Sequence, residues 1–125
     1  RSTMAKVIVS HDAATEWEQA SASWQEKYAE GDSGLRFKRL MRHGIAGLPN
    51  VQRTEYMPRH HEPPHSHPED EVLFVLSGAL FHGREKLGFG DAIFVAKDTT
   101  YSLRTEDEGA SFVRVGFGDL SGALA

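Results

Sequence analysis

The stretch "HHEPPHSHPEDEVLFVLSG", His60 to Gly78, places four of the chain's seven histidines within eight positions, beside four carboxylates, and runs into an apolar segment. Imidazoles and carboxylates are common ligands of divalent transition ions. His65 and His67 stand two apart, so on a strand they project to the same side, where both could reach one ion. Glu71, four residues further on, shares their parity and could complete a two-histidine, one-carboxylate set. Such a set leaves positions open for substrate or oxygen, as in non-haem iron sites. The plain alternative is a solvated His-rich loop with Glu71 capping a turn.

Composition narrows the chemistry further. At 125 residues the chain fits one domain with a real core. A formal charge of −4 gives no basic surface for tracking phosphates, so nucleic acid is disfavoured as a partner. There is no cysteine, which removes disulfides, thiolate sites and cysteine nucleophiles together. No apolar run reaches membrane-spanning length and no leader is visible, so a soluble, cytoplasmic protein is expected. Arg1, Ser2 and Thr3 ahead of Met4 read as an expression scar (residues 1–3). No glycine-rich phosphate cradle precedes a helix, no serine sits in a nucleophile elbow, and no aromatic platform interleaves with basic residues.

The elements that must position the cluster read in two parts. Residues 4–34 hold a short strand, "KVIVS", and one expected helix, started by Asp12 or Thr15 and running to Tyr28 before Gly31. Trp17, Ala20, Trp24 and Tyr28 fall at helical spacing, so one face could pack on a sheet. From residue 35 onward the pattern becomes short runs rich in Val, Ile, Phe and Tyr, bounded by Gly, Pro, Asp or Asn. Seven or eight such strands argue for an all-β sandwich or barrel. On a continuous strand His65, His67, Glu71, Leu73 and Val75 would face one side and Val72, Phe74 and Leu76 the other, unless a bulge at Pro68 breaks the parity. In "TYSLRTE" the alternation points Tyr101 inward.

The spacing His65-x-His67, three residues, Glu71, six residues, Gly78 resembles the first motif of the cupins, and "GDAIFVAKDTTYSLRT" lies where their second motif belongs. The match is complete from His65 onward, but Arg59 stands where the family has a glycine. In the second segment Gly90 and Asp91 agree, while Ala96, Asp98, Tyr101 and Thr105 replace the family's Pro, Gly, His and Asn. The resemblance covers residues 35–117. It implies a double-stranded β-helix (jelly-roll) barrel with a short N-terminal helix, followed by a tail over residues 118–125.

The resemblance implies His65, His67 and Glu71 as ligands of one divalent transition metal ion: iron, manganese, nickel or zinc. The family's fourth ligand is a histidine at the place of Tyr101, and three roles are open to that phenol. It could ligate as phenolate, act as a proton carrier or donor toward bound substrate, or pack as a core aromatic. The function implied is a metal-dependent enzyme acting on a small organic molecule in the barrel, of dioxygenase, lyase, isomerase or cyclase type. A non-catalytic binding or sensing barrel is the alternative, suggested by the missing fourth histidine; a purely structural ion is a third reading. A homodimer is expected, because "VLFVL" is apolar on both faces. His60, His61, Glu69 and Asp70 are expected in solvent, and His82 at the surface or packed near a hairpin turn. His11 and His43 have no visible partners. Arg53, Glu55 and Arg114 are read as water-facing, with a pocket role the lesser reading.

Overall fold

The computed structural model describes residues 7–19, 34–42 and 48–117. Ten strands lie among them: β1 (Glu18–Gln19), β2 (Leu35–Met41), β3 (Asn50–Tyr56), β4 (His61–His65), β5 (Glu71–Gly78), β6 (Leu80–His82), β7 (Glu85–Leu87), β8 (Ala92–Val95), β9 (Tyr101–Arg104) and β10 (Ala110–Gly116). They form an antiparallel six-stranded sheet, β1-β2-β3-β10-β5-β8, and a four-stranded one, β4-β9-β6-β7. The expected all-β jelly roll is therefore present. Alternation explains which face is which. In β5, Glu71, Leu73 and Val75 are buried while Phe74 between them is exposed. Leu73, Val75, Leu80, Leu103 and Phe112 form the core between the sheets, each worth about 1.5–3 kcal/mol of burial.

Two expectations for the N-terminal part are corrected. Residues 7–10 of "KVIVS" form no strand, and Val7 and Val9 stay exposed. The helix expected from Asp12 or Thr15 is only a 3₁₀ turn, Asp12–Ala14, after which the chain pairs Glu18 and Gln19 with β2. Tyr28 and the rest of that expected helix lie outside the described residues. Tertiary contacts override the helical propensity here. The Asp12 carboxylate, instead of capping backbone N–H groups, accepts hydrogen bonds from Arg53 at 2.9 Å and Lys38 at 3.0 Å. Trp17 lies on the guanidinium of Arg36, 3.9 Å from the ring centroid, with Lys38 and Arg53 beside it. This is a set of cation–π contacts that a helix through Trp17 would break.

The hydrogen bonds from Arg53 and then Lys38 hold the Asp12 carboxyl below its ordinary range. A carboxylate with a depressed folded-state pKa stabilises above its unfolded pKa, and that contribution is lost as pH falls. Acid titration of stability should thus show a loss beginning near pH 4 that is smaller in Asp12→Asn. Parallel curves for the two proteins would remove this role.

Both places where the resemblance replaced a glycine are strained. Arg59 and Asp98 have φ of 61° and 62° and are the non-glycine residues with positive φ among the described residues. The left-handed region is costly for any residue with a Cβ, and more so for Arg than for Asp. Arg59 contributes a surface pair with Asp107 whose side chains are 77% and 79% exposed, a kind of pair that adds little. Arg59→Gly is therefore expected to stabilise the fold by about 0.5–1 kcal/mol, read as a rise of a few degrees in melting temperature. An unchanged or lower melting temperature would count against strain at this turn.

Candidate metal centre

The first motif is not one strand. His65 ends β4 in the small sheet, Glu71 opens β5 in the large one, and residues 66–70 cross between them. Pro68 in that crossing cannot donate to a ladder, which is one reason the strand stops. The crossing is stitched to the turn before β9: the Asp98 N–H donates to the His67 carbonyl at 2.8 Å, and the Lys97 N–H to the Asp70 carboxylate at 2.9 Å. These bonds place His67 beside His65 although the two no longer share a strand.

His65 pairs in register with Tyr101 of β9. The His65 ring lies 4.9 Å from that of His67 and 4.7 Å from that of Tyr101, and His67 and Tyr101 are 6.3 Å apart. All three line a cavity of about 560 Å³ between the sheets. Its other walls come from Phe37 and Arg39 of β2, Gln52, Thr54 and Tyr56 of β3, Glu62 of β4, Leu73 of β5, and Phe112 and Arg114 of β10. Glu71 is fully buried behind this wall. One of its oxygens accepts from the Tyr101 hydroxyl and the other from Nε of Arg114. Arg114 also reaches Glu69 at 2.6 Å, and Glu69 accepts from Asn50 at 3.2 Å.

The structure thus gathers His65, His67 and Tyr101 on one wall and connects Glu71 to them through Tyr101. Among the described residues, no three His, Asp or Glu side chains form a set able to hold an ion by themselves. The donor chemistry nonetheless fits a divalent transition ion. Nδ1 of His65 is 2.8 Å from the Pro63 carbonyl, which can only accept, so Nδ1 carries a proton and Nε2 is the nitrogen that the neutral ring would offer to an ion. Burial holds the His67 pKa below its ordinary value, with Glu71 opposing and Arg114 and His65 assisting, so its imidazole is neutral at neutral pH. Burial, then the hydrogen bond and charge of Glu71, push the Tyr101 phenol well above its ordinary range. In this arrangement Tyr101 is a protonated donor. Arg114 keeps its charge: burial opposes it, but Glu71 and Glu69 more than offset that.

Several expectations change. His60 is buried, 8% exposed, and Glu69 is buried, 9% exposed, whereas His61 and His82 do face solvent. His11 is exposed too, and His43 lies outside the described residues. Arg53 is committed to Asp12 on the outer face, but Arg114 lines the cavity. The parity of Phe112 and Arg114 in "SFVRV" was the available signal for that. Gly116 carries no such signal, yet a Cβ there would collide with the Glu69 carboxylate, so glycine makes room for the acid that Arg114 holds.

No family model and no curated relative matches the chain. Among solved structures it is similar to KdgF from Halomonas sp., at 13% identity and TM-score 0.71 over 95% of this chain and all of that one. It is similar to the polyketide cyclase RemF from Streptomyces resistomycificus, at 20% identity and TM-score 0.68 over 91% and 80% of the two chains. An RmlC-like cupin from Shewanella frigidimarina NCIMB 400 shares 14% identity and TM-score 0.66 over 96% and 97%. At these identities the likeness speaks for the barrel and not for its chemistry.

Proposed function

From the cupin fold that this chain has, we propose that it is a metal-dependent enzyme transforming a small organic molecule in the cavity by proton transfer: an elimination, isomerisation or cyclisation. The observation that carries this reading is the meeting of His65, His67 and a protonated Tyr101 on one cavity wall, with the His65 tautomer fixed by Pro63. His65 and His67 would hold the ion, Glu71 would join them by giving up one of its present partners, and Tyr101 would stand at its edge or toward the substrate. An ion there would serve as a Lewis acid on a substrate oxygen. Tyr101 would deliver or collect the proton, Glu71 would orient its hydroxyl, and Arg114 would hold Glu71 in place through its ion pair. The apolar side chains Leu73, Leu103 and Phe112 would exclude water from the reacting end. Similar solved structures include a polyketide cyclase and a DMSP lyase from Ruegeria pomeroyi DSS-3, in keeping with such a reaction, and an Fe(II)-bound HppE, in keeping with an ion in such a barrel.

A second reading is a binding barrel without a reaction. It is favoured by one feature, the engagement of both Glu71 oxygens by Tyr101 and Arg114. Elemental analysis of protein purified without added metal separates the two. Near-stoichiometric iron, manganese, nickel or zinc, and a melting temperature that drops on chelation, are expected. No metal and no response to chelation would favour the binding barrel. A homodimer would use the outer face around Phe74 and Phe94, which are 40% and 63% exposed; a monomer by light scattering at micromolar concentration would count against it.

A further inference from the structure

The cavity has a second polar wall that the proposed chemistry leaves unused. Glu62, on β4, lines it and is 7% exposed. Behind it lies His60, whose Nε2 is 3.1 Å from a Glu62 oxygen. Beside it lies Tyr56, whose ring is tilted by 46° against that of His60, with centroids 4.4 Å apart. Two bonds pin the His60 backbone to Thr105: its N–H donates to the Thr105 hydroxyl at 2.9 Å, and its carbonyl accepts from the Thr105 N–H at 2.9 Å. Gly34 closes the far side, where a Cβ would come within 2.7 Å of His60 Nδ1.

We propose that Glu62, held by His60, reads the hydrogen-bond-donating end of the ligand, a hydroxyl or ammonium group carried on an apolar body. A carboxylate only accepts, and it offers about four lone-pair directions. His60 uses one from the protein side. The remaining acceptor capacity belongs to a carboxylate on the cavity wall, where an unmet acceptor is costly and a matching donor is correspondingly favoured. Its surroundings set the rest of the ligand: Leu103, Phe112 and Leu35 line the same cavity and suit an apolar body. Burial raises the Tyr56 and Tyr101 phenols first, but the charge of Glu62 adds to both, so its field reaches the Tyr101 wall. That field disfavours an anionic group at this end and favours a donor.

This inference rests on the reading that the cavity takes a small molecule, but not on the metal. The test is a titration of ¹⁵N-labelled protein with benzylamine, benzyl alcohol and benzyl methyl ether, followed by NMR shifts. The amine and the alcohol are expected to perturb the amides of His60, Glu62 and Thr105, and the amine to bind about tenfold or more tightly than the donor-free ether. Glu62→Gln should erase most of the preference for the amine. Equal binding of amine and ether by the wild-type protein, which requires no variant to fold, would overturn the proposal, as would shifts mapping elsewhere. The series repeated after chelation separates it from the metal reading. Selectivity that survives in metal-free protein upholds Glu62 whatever the elemental analysis finds; selectivity that vanishes with the metal overturns it.

Discussion

Arg114→Met is expected to destabilise the metal-free protein by about 3–5 kcal/mol, the usual cost of leaving a buried charge without its partner. Glu71 is fully buried, and Arg114, with a side chain only 14% exposed, is the cation that meets it and Glu69. Methionine keeps much of the volume, so the loss isolates charge rather than packing. Urea denaturation measures it. The double variant Arg114→Met/Glu71→Gln should recover part of the loss, because Glu71 then carries no charge while Glu69 keeps Asn50 but not Arg114. A bound divalent cation would offset part of the same deficit, so added zinc or manganese should raise the melting temperature of Arg114→Met more than that of the wild type. A loss below about 1 kcal/mol would mean that Glu71 does not depend on Arg114 for its charge.

His67→Ala is expected to abolish metal binding, with affinity reduced by more than about 100-fold. Losing even an outer hydrogen-bond partner of a ligand costs 10–100-fold, and here a donor itself is removed. His67 reaches the cavity from the 66–70 crossing, so its removal leaves the β4–β9 pairing that places His65 and Tyr101 intact. Tyr101→Phe should behave differently. It deletes the hydroxyl that donates to Glu71 but leaves both imidazoles, so metal content is retained. Turnover of a substrate should then fall by about 10²–10⁴ if the phenol carries the proton. Metal content by plasma mass spectrometry discriminates the roles. Full metal in His67→Ala would remove His67 from the site, and metal loss in Tyr101→Phe would make the phenol a ligand.

Much of the barrel is legible in local pattern. Strands β2, β5, β9 and β10 fall on runs with alternating or continuous apolar character, and β3 on a run bounded by Asn50 and Pro58. The inward direction of Tyr101, Leu73 and Val75 follows from period-two parity alone. The N-terminal segment defeats the same method. Its helical composition is real, but Asp12 and Trp17 gain more from Arg53, Lys38 and Arg36 on neighbouring strands than from a local helix. Those partners lie between 19 and 41 positions away, beyond any local window.

The site divides in the same way. Sequence by itself determined the inventory and its spacing: two imidazoles separated by one residue, a glutamate four on, and a phenol where a histidine would be expected. Those are properties of neighbouring positions, set by side-chain chemistry and strand parity. Only the tertiary structure decided that His65 and Glu71 stand in different sheets, that Arg114 and Tyr101 share the Glu71 carboxylate, and that Glu62 and His60 are buried against the same cavity. The reason is physical: a buried charge is tolerated only where an oppositely charged or hydrogen-bonding partner is brought to it. In this barrel Tyr101 reaches Glu71 across the gap between the two sheets and Arg114 reaches it along the β5–β10 pairing, from 30 and 43 positions away.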